Sequence, residues 1–308
     1  MSVLYWSHPS FRLHESAPDH PECGARLDAI NDQLIAAGIE PWLMHRVAPA
    51  VTREQLERVH DVAYVDEIER VAGGCMTLQH LDRDTVIGPH SLEAARHAAG
   101  AVVAAVDAVM TSMPRRAFCA VRPPGHHATR NRAMGFCVYN NVAVGAAHAL
   151  AVQGLERVAI VDFDVHHGNG TEDVFRHEPR VFMASAFEGS LWSTSDPQEP
   201  APHNACWLDL PAGTRGRAYR ARFAADLLPA IDAFAPQLLM ISAGFDAHCA
   251  DDISHLYLVE DDYAWITREL VALAERHCAG RLVSVLEGGY NLPALGRSVV
   301  AHLRALLE

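Results

Sequence analysis

Residues 161–171, VDFDVHHGNGT, place two aspartates and two histidines at the end of an apolar run. Side chains of a β-strand alternate between its faces, so Asp162, Asp164 and His166 are predicted to share one face. A buried aspartate needs a cation or several hydrogen-bond donors, because an unpaired buried carboxylate is costly. The pattern predicts a metal site, although capping of neighbouring turns by the two aspartates is the alternative.

A third ligand is predicted in the segment SAGFDAH, where Asp246 follows another apolar run. Two carboxylates from Asp164 and Asp246 with the imidazole of His166 make a three-ligand set. Three protein ligands leave a position open for water, which is typical of a catalytic zinc rather than a structural one.

Two further segments carry groups that could transfer protons. RPPGHHA contains His126 and His127 after a stiff turn, and one of them could be a general base while Asp162 fixes the tautomer of the other. Tyr290 follows Gly-Gly in LEGGYNL and is a candidate donor to a developing oxyanion. A surface histidine and a core or rim tyrosine are the alternatives.

Predicted strands and predicted helices alternate along the chain, and these elements must position the residues above. The alternation predicts a mostly parallel sheet with helices on both faces. We interpret residues 1–308 as a single α/β domain. Ligands bind such sheets outside the carboxyl ends of the strands, and the polar segments above follow predicted strands. The predicted strands are 117–121, 157–164, 181–187, 238–245 and 281–289, and the predicted helices are 91–110, 141–154, 218–235 and 261–279.

Composition indicates which partners the protein could bind and in which cellular compartment it is expected. The net charge of −13 and the absence of a basic run argue against nucleic acid and suit a cationic substrate. The seven cysteines are scattered without a Cys-x-x-Cys pair. With neither a secretory signal nor a run of about 20 apolar residues, a cytoplasmic protein without membrane contact is expected.

Taken together, RPPGHHA, MGFCVYNNVA, DFDVHHGNGTEDVF, SAGFDAH and LEGGYNL resemble the zinc-dependent histone deacetylase superfamily, from about residue 20 to the C-terminus. That superfamily includes acetylpolyamine amidohydrolases and has an arginase-like α/β fold. The resemblance implies one catalytic Zn²⁺ on the three predicted ligands. It makes His127 the general base and then acid, His126 an electrostatic partner paired to Asp162, and Tyr290 the oxyanion donor.

The resemblance also implies residues around this centre. Gly135, Phe136 and Gly289 are expected to line a tunnel for the acetylated arm, and potassium is expected near Asp162 and Ser185. Asn169 stands where class I deacetylases tend to carry an aspartate, which places the chain on the class II side. An amide there should raise the basicity of His127 less than an aspartate would.

Other positions depart from the family pattern or match it loosely. Ser185-Ala186-Phe187 replaces Ser-Leu-His, and loop 188–204, with Trp192, differs from the usual tunnel rim. Asp82 or Asp84 could hold a substrate backbone, although a solvated loop is the usual interpretation. Arg26 is interpreted as a helix-surface residue rather than part of an exit path for acetate, and His167 as structural.

The sequence therefore predicts a zinc-dependent amidohydrolase that removes acetyl groups from Nε-acetyl-lysine of a protein or peptide. A deacetylase of polyamines or other small acylated amines is the alternative enzyme, and an acetyl-lysine-binding pseudoenzyme is the alternative of another class. A ureohydrolase would need ligands for two metals, and a phosphate loop would need the Gly-x-x-x-x-Gly-Lys pattern. Oligomeric state is not predicted.

Overall fold

An eight-stranded sheet, in which all neighbouring strands run parallel, organises the chain. The computed structural model describes residues 2–111, 113–191 and 202–308. The sheet strands are β1 Val3–Ser7, β2 Leu43–Val47, β5 Arg116–Cys119, β6 Val158–Asp162, β7 Val181–Glu188, β8 Ala205–Leu210, β9 Leu238–Ala243 and β10 Leu282–Leu286. Two short antiparallel strands, β3 Gln79–His80 and β4 Val86–Ile87, lie outside it.

The order of the strands is β2-β1-β5-β10-β9-β6-β7-β8. Strands β5, β6, β9 and β10 are buried along their whole lengths, as expected for apolar strands covered on both faces. The chain leaves β5 and returns as β6 three positions away, and β9 and β10 later fill the gap. The carboxyl ends of these four strands therefore lie side by side in the middle of the sheet.

Helices cover the sheet in two groups. α2 and α10 both pack on α11, while α5 and α6 pack together against β5, β6, β9 and β10. The helices are α1 Ser10–Leu13, α2 Ala25–Ala36, α3 Arg53–Glu57, α4 Val62–Gly73, α5 Ser91–Thr111, α6 Asn141–Ala151, α7 Asn169–Phe175, α8 Gly216–Arg222, α9 Leu228–Phe234, α10 Glu260–His277 and α11 Leu292–Leu307, with a 3₁₀ turn at Glu40–Trp42 and a π turn at Phe223–Leu227.

The predicted α/β class is confirmed, with two local corrections. Strand β6 ends at Asp162, so Asp164 and His166 lie in the loop that follows it rather than on the strand. The predicted helix 218–235 is divided by the π turn, which comes directly before the turn containing Pro229. Proline has no N–H to donate to an earlier carbonyl, and this favours a local change in helical hydrogen bonding.

All seven cysteines are free thiols. In the described ranges, no helix is both long enough and apolar enough to cross a membrane.

Candidate metal and catalytic site

Asp164, His166 and Asp246 come together where β6 and β9 end. One ligand atom from each lies within 4.8 Å of the other two. Nδ1 of His166 is 3.0 Å from Oδ1 of Asp164 and 3.3 Å from Oδ2 of Asp246. Both carboxylates are buried and His166 is half-buried, so the group is reached from one side. The structure thus assembles the three residues predicted as metal ligands.

Two glycines let the main chain approach the carboxylates of this group. A Cβ on Gly244 would lie 2.1 Å from Oδ2 of Asp164, and one on Gly288 would lie 2.2 Å from Oδ2 of Asp246. The amide of Gly288 also donates to Oδ2 of Asp164 at 2.8 Å. Any larger residue at either position would displace a carboxylate, so the glycines are part of the site.

The donor set fits a divalent cation. Oδ1 of Asp246 accepts from the amide of Val165 at 2.9 Å, while its buried Oδ2 faces Nδ1 of His166 at 3.3 Å. Burial and the neighbouring Asp164 raise the pKa of Asp246. Two carboxylates and one imidazole at this spacing match a catalytic zinc site, and a cation would remove the repulsion between the acids.

His126 lies beside this group and is paired with Asp162. Its Nδ1 is 2.9 Å from Oδ2 of Asp162, and its Nε2 is 3.8 Å from Oδ1 of Asp164. Burial alone would lower the pKa of His126, but the two carboxylates outweigh it and raise the pKa to about 10. The two carboxylates therefore favour the protonated form of His126.

Glu287 holds the turn that carries the histidines, a role that the sequence analysis missed. Its Oε2 accepts from the amides of Gly125 at 2.7 Å and His126 at 3.2 Å, and its Oε1 accepts from Ser242. Burial raises the pKa of Glu287 to about 7. The available signal was its position, because a buried acid directly after β10 needs partners as much as the aspartates after β6 and β9 do.

His127 lies next to His126, with their ring centroids 4.0 Å apart, and close to His166 of the metal-ligand group. Its ring centroid is 5.8 Å from that of His166, and its Nδ1 is 2.7 Å from Oδ1 of Asn169. An amide oxygen only accepts, so Nδ1 carries the proton and Nε2 keeps its lone pair. Burial and the neighbouring His126 and His166 hold the pKa of His127 well below its usual value.

Tyr290 and Phe136 form an aromatic wall next to the histidines. Their ring centroids are 5.8 Å apart with the planes nearly perpendicular. Asp251 accepts from the amide of Tyr290 at 2.6 Å. Burial and the nearby Asp246 raise the pKa of Tyr290, so its hydroxyl stays protonated and can donate.

Arg26 corrects an expectation, because it is fully buried and not on a helix surface. Its Nε donates to the carbonyl of Gly289 at 2.7 Å, and its guanidinium carbon lies 5.1 Å from the centroid of the Tyr290 ring. Gly289 has φ 117°, a conformation that favours glycine. The side chain of Arg26 thereby fixes the backbone that presents Tyr290.

Ser185 and Asp162 are direct neighbours in the sheet, and potassium is expected near these two residues.

His167 is buried and lies away from the metal-ligand group. Its Nε2 is 2.7 Å from Glu172, and its ring packs against Trp207. The structural role predicted for His167 fits these contacts. Trp192, and loop 188–204 from 192 to 201, lie outside the described residues.

The loop with Asp82 and Asp84 lies against Phe136 through Thr85, whose Oγ1 accepts from the amide of Phe136 at 3.0 Å. Asp82 is half-buried and accepts from amides of its own loop, whereas Asp84 is exposed. His20 packs edge-on against Phe136 with the ring centroids 4.5 Å apart. An acidic loop thus borders the candidate site.

The sequence model of the histone deacetylase domain family matches residues 20–306 of this chain. The chain belongs to the histone deacetylase family. It is 36% identical to a histone deacetylase-like amidohydrolase of Pseudomonas aeruginosa, with 92% of this chain and 76% of the relative aligned. It is 37% identical to the human polyamine deacetylase HDAC10, over 94% of this chain and 45% of that protein.

A comparison of structures also finds a histone deacetylase domain. The crystal structure of the HDA15 HD domain superposes with a TM-score of 0.90 at 32% identity, covering 100% of this chain and 90% of that domain. The predicted deacetylase fold is confirmed, and the chain is a hydrolase of a family in which zinc dependence is general. The named relatives differ in substrate, so family membership alone does not define what this chain hydrolyses.

Proposed function

We propose that this chain is a zinc-dependent amidohydrolase that deacetylates an N-acetylated amine, with Nε-acetyl-lysine of a protein or peptide as the substrate. The observation that carries the proposal is the group formed by Asp164, His166 and Asp246, whose ligand atoms lie within 4.8 Å of one another. A neutral histidine, a charged histidine and a tyrosine adjoin this group. That set supplies the base, the positive charge and the hydroxyl donor that amide hydrolysis uses.

The three ligand residues would hold one Zn²⁺ and leave a position open. Zinc in such a site polarises an amide carbonyl and lowers the pKa of water from 15.7 to about 7. Asp164 is already fixed by the amides of His166 and Gly288, at 2.9 Å and 2.8 Å, so little rearrangement is required of it.

His127 moves the protons in this proposal. With Nδ1–H held by Asn169, Nε2 accepts the proton of the attacking water and later donates it to the nitrogen of the leaving amine. His127 must be neutral to begin, and its low pKa supports that state at neutral pH. Because Asn169 is uncharged, it orients the ring without adding a negative charge that would stabilise the protonated form.

His126 and Tyr290 stabilise charge. The imidazolium of His126, paired to Asp162, is a fixed positive charge next to the reacting centre and also disfavours early protonation of His127. The hydroxyl of Tyr290 donates to the carbonyl oxygen as that oxygen becomes negative. Phe136, perpendicular to Tyr290, together with Gly135 and Gly289 would line the path of the acetylated arm.

The acidic border of the site supports a cationic substrate. A cavity of about 310 Å³ next to Tyr290 is lined in part by Asp251 and the exposed Asp252, and Asp84 lies on the Phe136 side. A peptide with lysine or arginine beside its acetyl-lysine carries positive charge, and an acetylpolyamine keeps a free ammonium group. The same border therefore also favours the second candidate, a polyamine deacetylase.

The proposal also includes a potassium site and a cellular compartment. Potassium would bind near Asp162 and Ser185, which are adjacent in the sheet and both fully buried. The seven free cysteines support the expectation of a reducing, cytoplasmic environment.

The test is a comparison of kcat/KM on an acetyl-lysine peptide, N-acetylputrescine and longer acyl-lysine peptides, with a matched His127→Gln variant. The proposal predicts release of acetate from the acetyl-lysine peptide with the highest kcat/KM, and its loss in His127→Gln. A higher kcat/KM on N-acetylputrescine would favour the polyamine function. Binding of the peptide without turnover by any substrate would show a pseudoenzyme.

A further inference from the structure

A second group of metal-ligating side chains lies between β1 and α5, outside the candidate catalytic site. His8 follows β1, and Glu93 and His97 belong to α5; one ligand atom from each lies within 4.8 Å of the other two. We propose that His8, Glu93 and His97 form a second metal site, which binds a divalent transition-metal ion such as Zn²⁺.

The backbone places the three ligands on neighbouring surfaces. Glu93 and His97 are separated by one helical turn and share a face of α5. The ring of His8 stacks on that of His97 with centroids 3.6 Å apart and planes at 7°. Zn–N and Zn–O bonds of about 2.0–2.2 Å place tetrahedral ligands about 3.3 Å apart. The three ligand atoms lie within 4.8 Å of one another, so binding would require the two stacked rings to splay and the exposed Glu93 to rotate toward them.

Oxygen atoms hold the imidazole nitrogens that would not bind the ion. Nδ1 of His97 donates to the carbonyl of Ala48 at 2.8 Å, which leaves the lone pair on Nε2. Nδ1 of His8 is 2.7 Å from Oγ of Ser10 and accepts from the amide of Ser10 at 3.2 Å. Binding of an ion at Nε2 therefore moves the ring proton to Nδ1, where Oγ of Ser10 accepts it and the bond from the amide is given up. Metal-ligating histidines usually donate their other ring N–H to an oxygen in this way.

Charge and protonation also suit a cation. Burial and the neighbouring His97 lower the pKa of His8. Glu93 forms no hydrogen bond or ion pair with any other residue in the described ranges, and its carboxylate is available. Imidazole and carboxylate ligands suit zinc, copper and nickel, and three of them leave room for water. A bound ion would connect the end of β1 to α5 and so stabilise the folded chain.

Zinc titration of the metal-free chain against a chromophoric chelator tests the proposal. We expect two equivalents per wild-type chain and one in His97→Gln, with Glu93→Gln and His8→Gln as replacements should His97→Gln fail to fold. His90→Gln is the matched control, because His90 is an exposed histidine that pairs with Glu15 and lies outside the group; it should retain two equivalents. Two equivalents in a folded His97→Gln chain, or a single equivalent in the wild type that Asp246→Asn abolishes and His97→Gln keeps, would overturn the second site.

The Asp246→Asn variant separates this inference from the proposed function, on which it does not depend. That variant should lose the equivalent bound at the catalytic group and keep the one at His8, Glu93 and His97. Zinc should then still raise its Tm, and combining Asp246→Asn with His97→Gln should abolish the rise. A Tm rise of the same size in the double variant would contradict the second site.

Discussion

Replacing Gly135 by alanine should slow hydrolysis by displacing the proposed base. A Cβ at Gly135 would lie 2.3 Å from Cδ2 and 2.9 Å from Cγ of His127. Carbon atoms in contact are about 3.5–4.0 Å apart, so the ring must move by about 1 Å or more. A misplacement of about 1 Å can reduce a rate about 100-fold, which corresponds to about 2.7 kcal/mol in the activation free energy.

Gly154→Ala is the control for backbone strain. Gly154 has φ +68°, close to the +55° of Gly135, but a Cβ at Gly154 would have no neighbouring atom within 4 Å. Both variants carry the cost of a left-handed alanine, about 1–2 kcal/mol, and Gly135→Ala also carries the cost of displacing the buried His127 ring. Steady-state kinetics on an acetyl-lysine peptide should show the loss of kcat/KM in Gly135→Ala alone. Rates within about threefold of each other for two folded variants would refute the contact with His127 as a constraint on the base.

The remaining predictions concern the oxyanion donor and the dependence of stability on pH. Tyr290→Phe should lower kcat by about 10²–10³ with little change in KM, because its hydrogen bond strengthens as the carbonyl oxygen becomes charged; an unchanged kcat would remove Tyr290 from the mechanism. Burial lowers the pKa of His14 and His60 to about 4 and that of His302 to about 3, so below pH 6.5 the unfolded chain binds more protons than the folded chain. The contribution of these histidines to the free energy of unfolding should therefore fall as the pH drops from about 6.5 to 4, partly offset by Glu287, whose pKa is raised to about 7. A pH dependence of the urea midpoint that is unchanged in a His302→Gln variant would contradict this.

Local sequence patterns were sufficient to locate the central strands and the residues after them that are proposed as metal ligands. The strands predicted at 238–245 and 281–289 correspond to Leu238–Ala243 and Leu282–Leu286, because uninterrupted apolar runs identify strands buried on both faces. The outer strands Leu43–Val47 and Ala205–Leu210 carry more exposed positions and were not predicted. Helix Leu292–Leu307 was also missed, although Asn291 caps it and Pro293 lies in its first turn.

What the sequence could not show is the set of contacts between distant segments. Arg26 looked like a surface residue because its helix has polar neighbours, yet it donates to the carbonyls of Gly289 and Glu287 from the far end of the chain. Glu287 was missed for the same reason, since its partners Gly125 and His126 are about 160 residues away. Such contacts depend on β10 lying next to β5, an order that the chain sequence does not reveal.

Metal content and acetate release, measured on the same samples, test the central claim most directly. Metal-free wild-type chain would be reconstituted with increasing Zn²⁺ and assayed on an acetyl-lysine peptide, with Asp246→Asn treated in parallel. We predict that kcat rises with the first equivalent of zinc bound at the catalytic group in the wild type and stays at background in Asp246→Asn at every zinc concentration. Full turnover by the metal-free wild type, or by Asp246→Asn, would contradict zinc-dependent hydrolysis at this site.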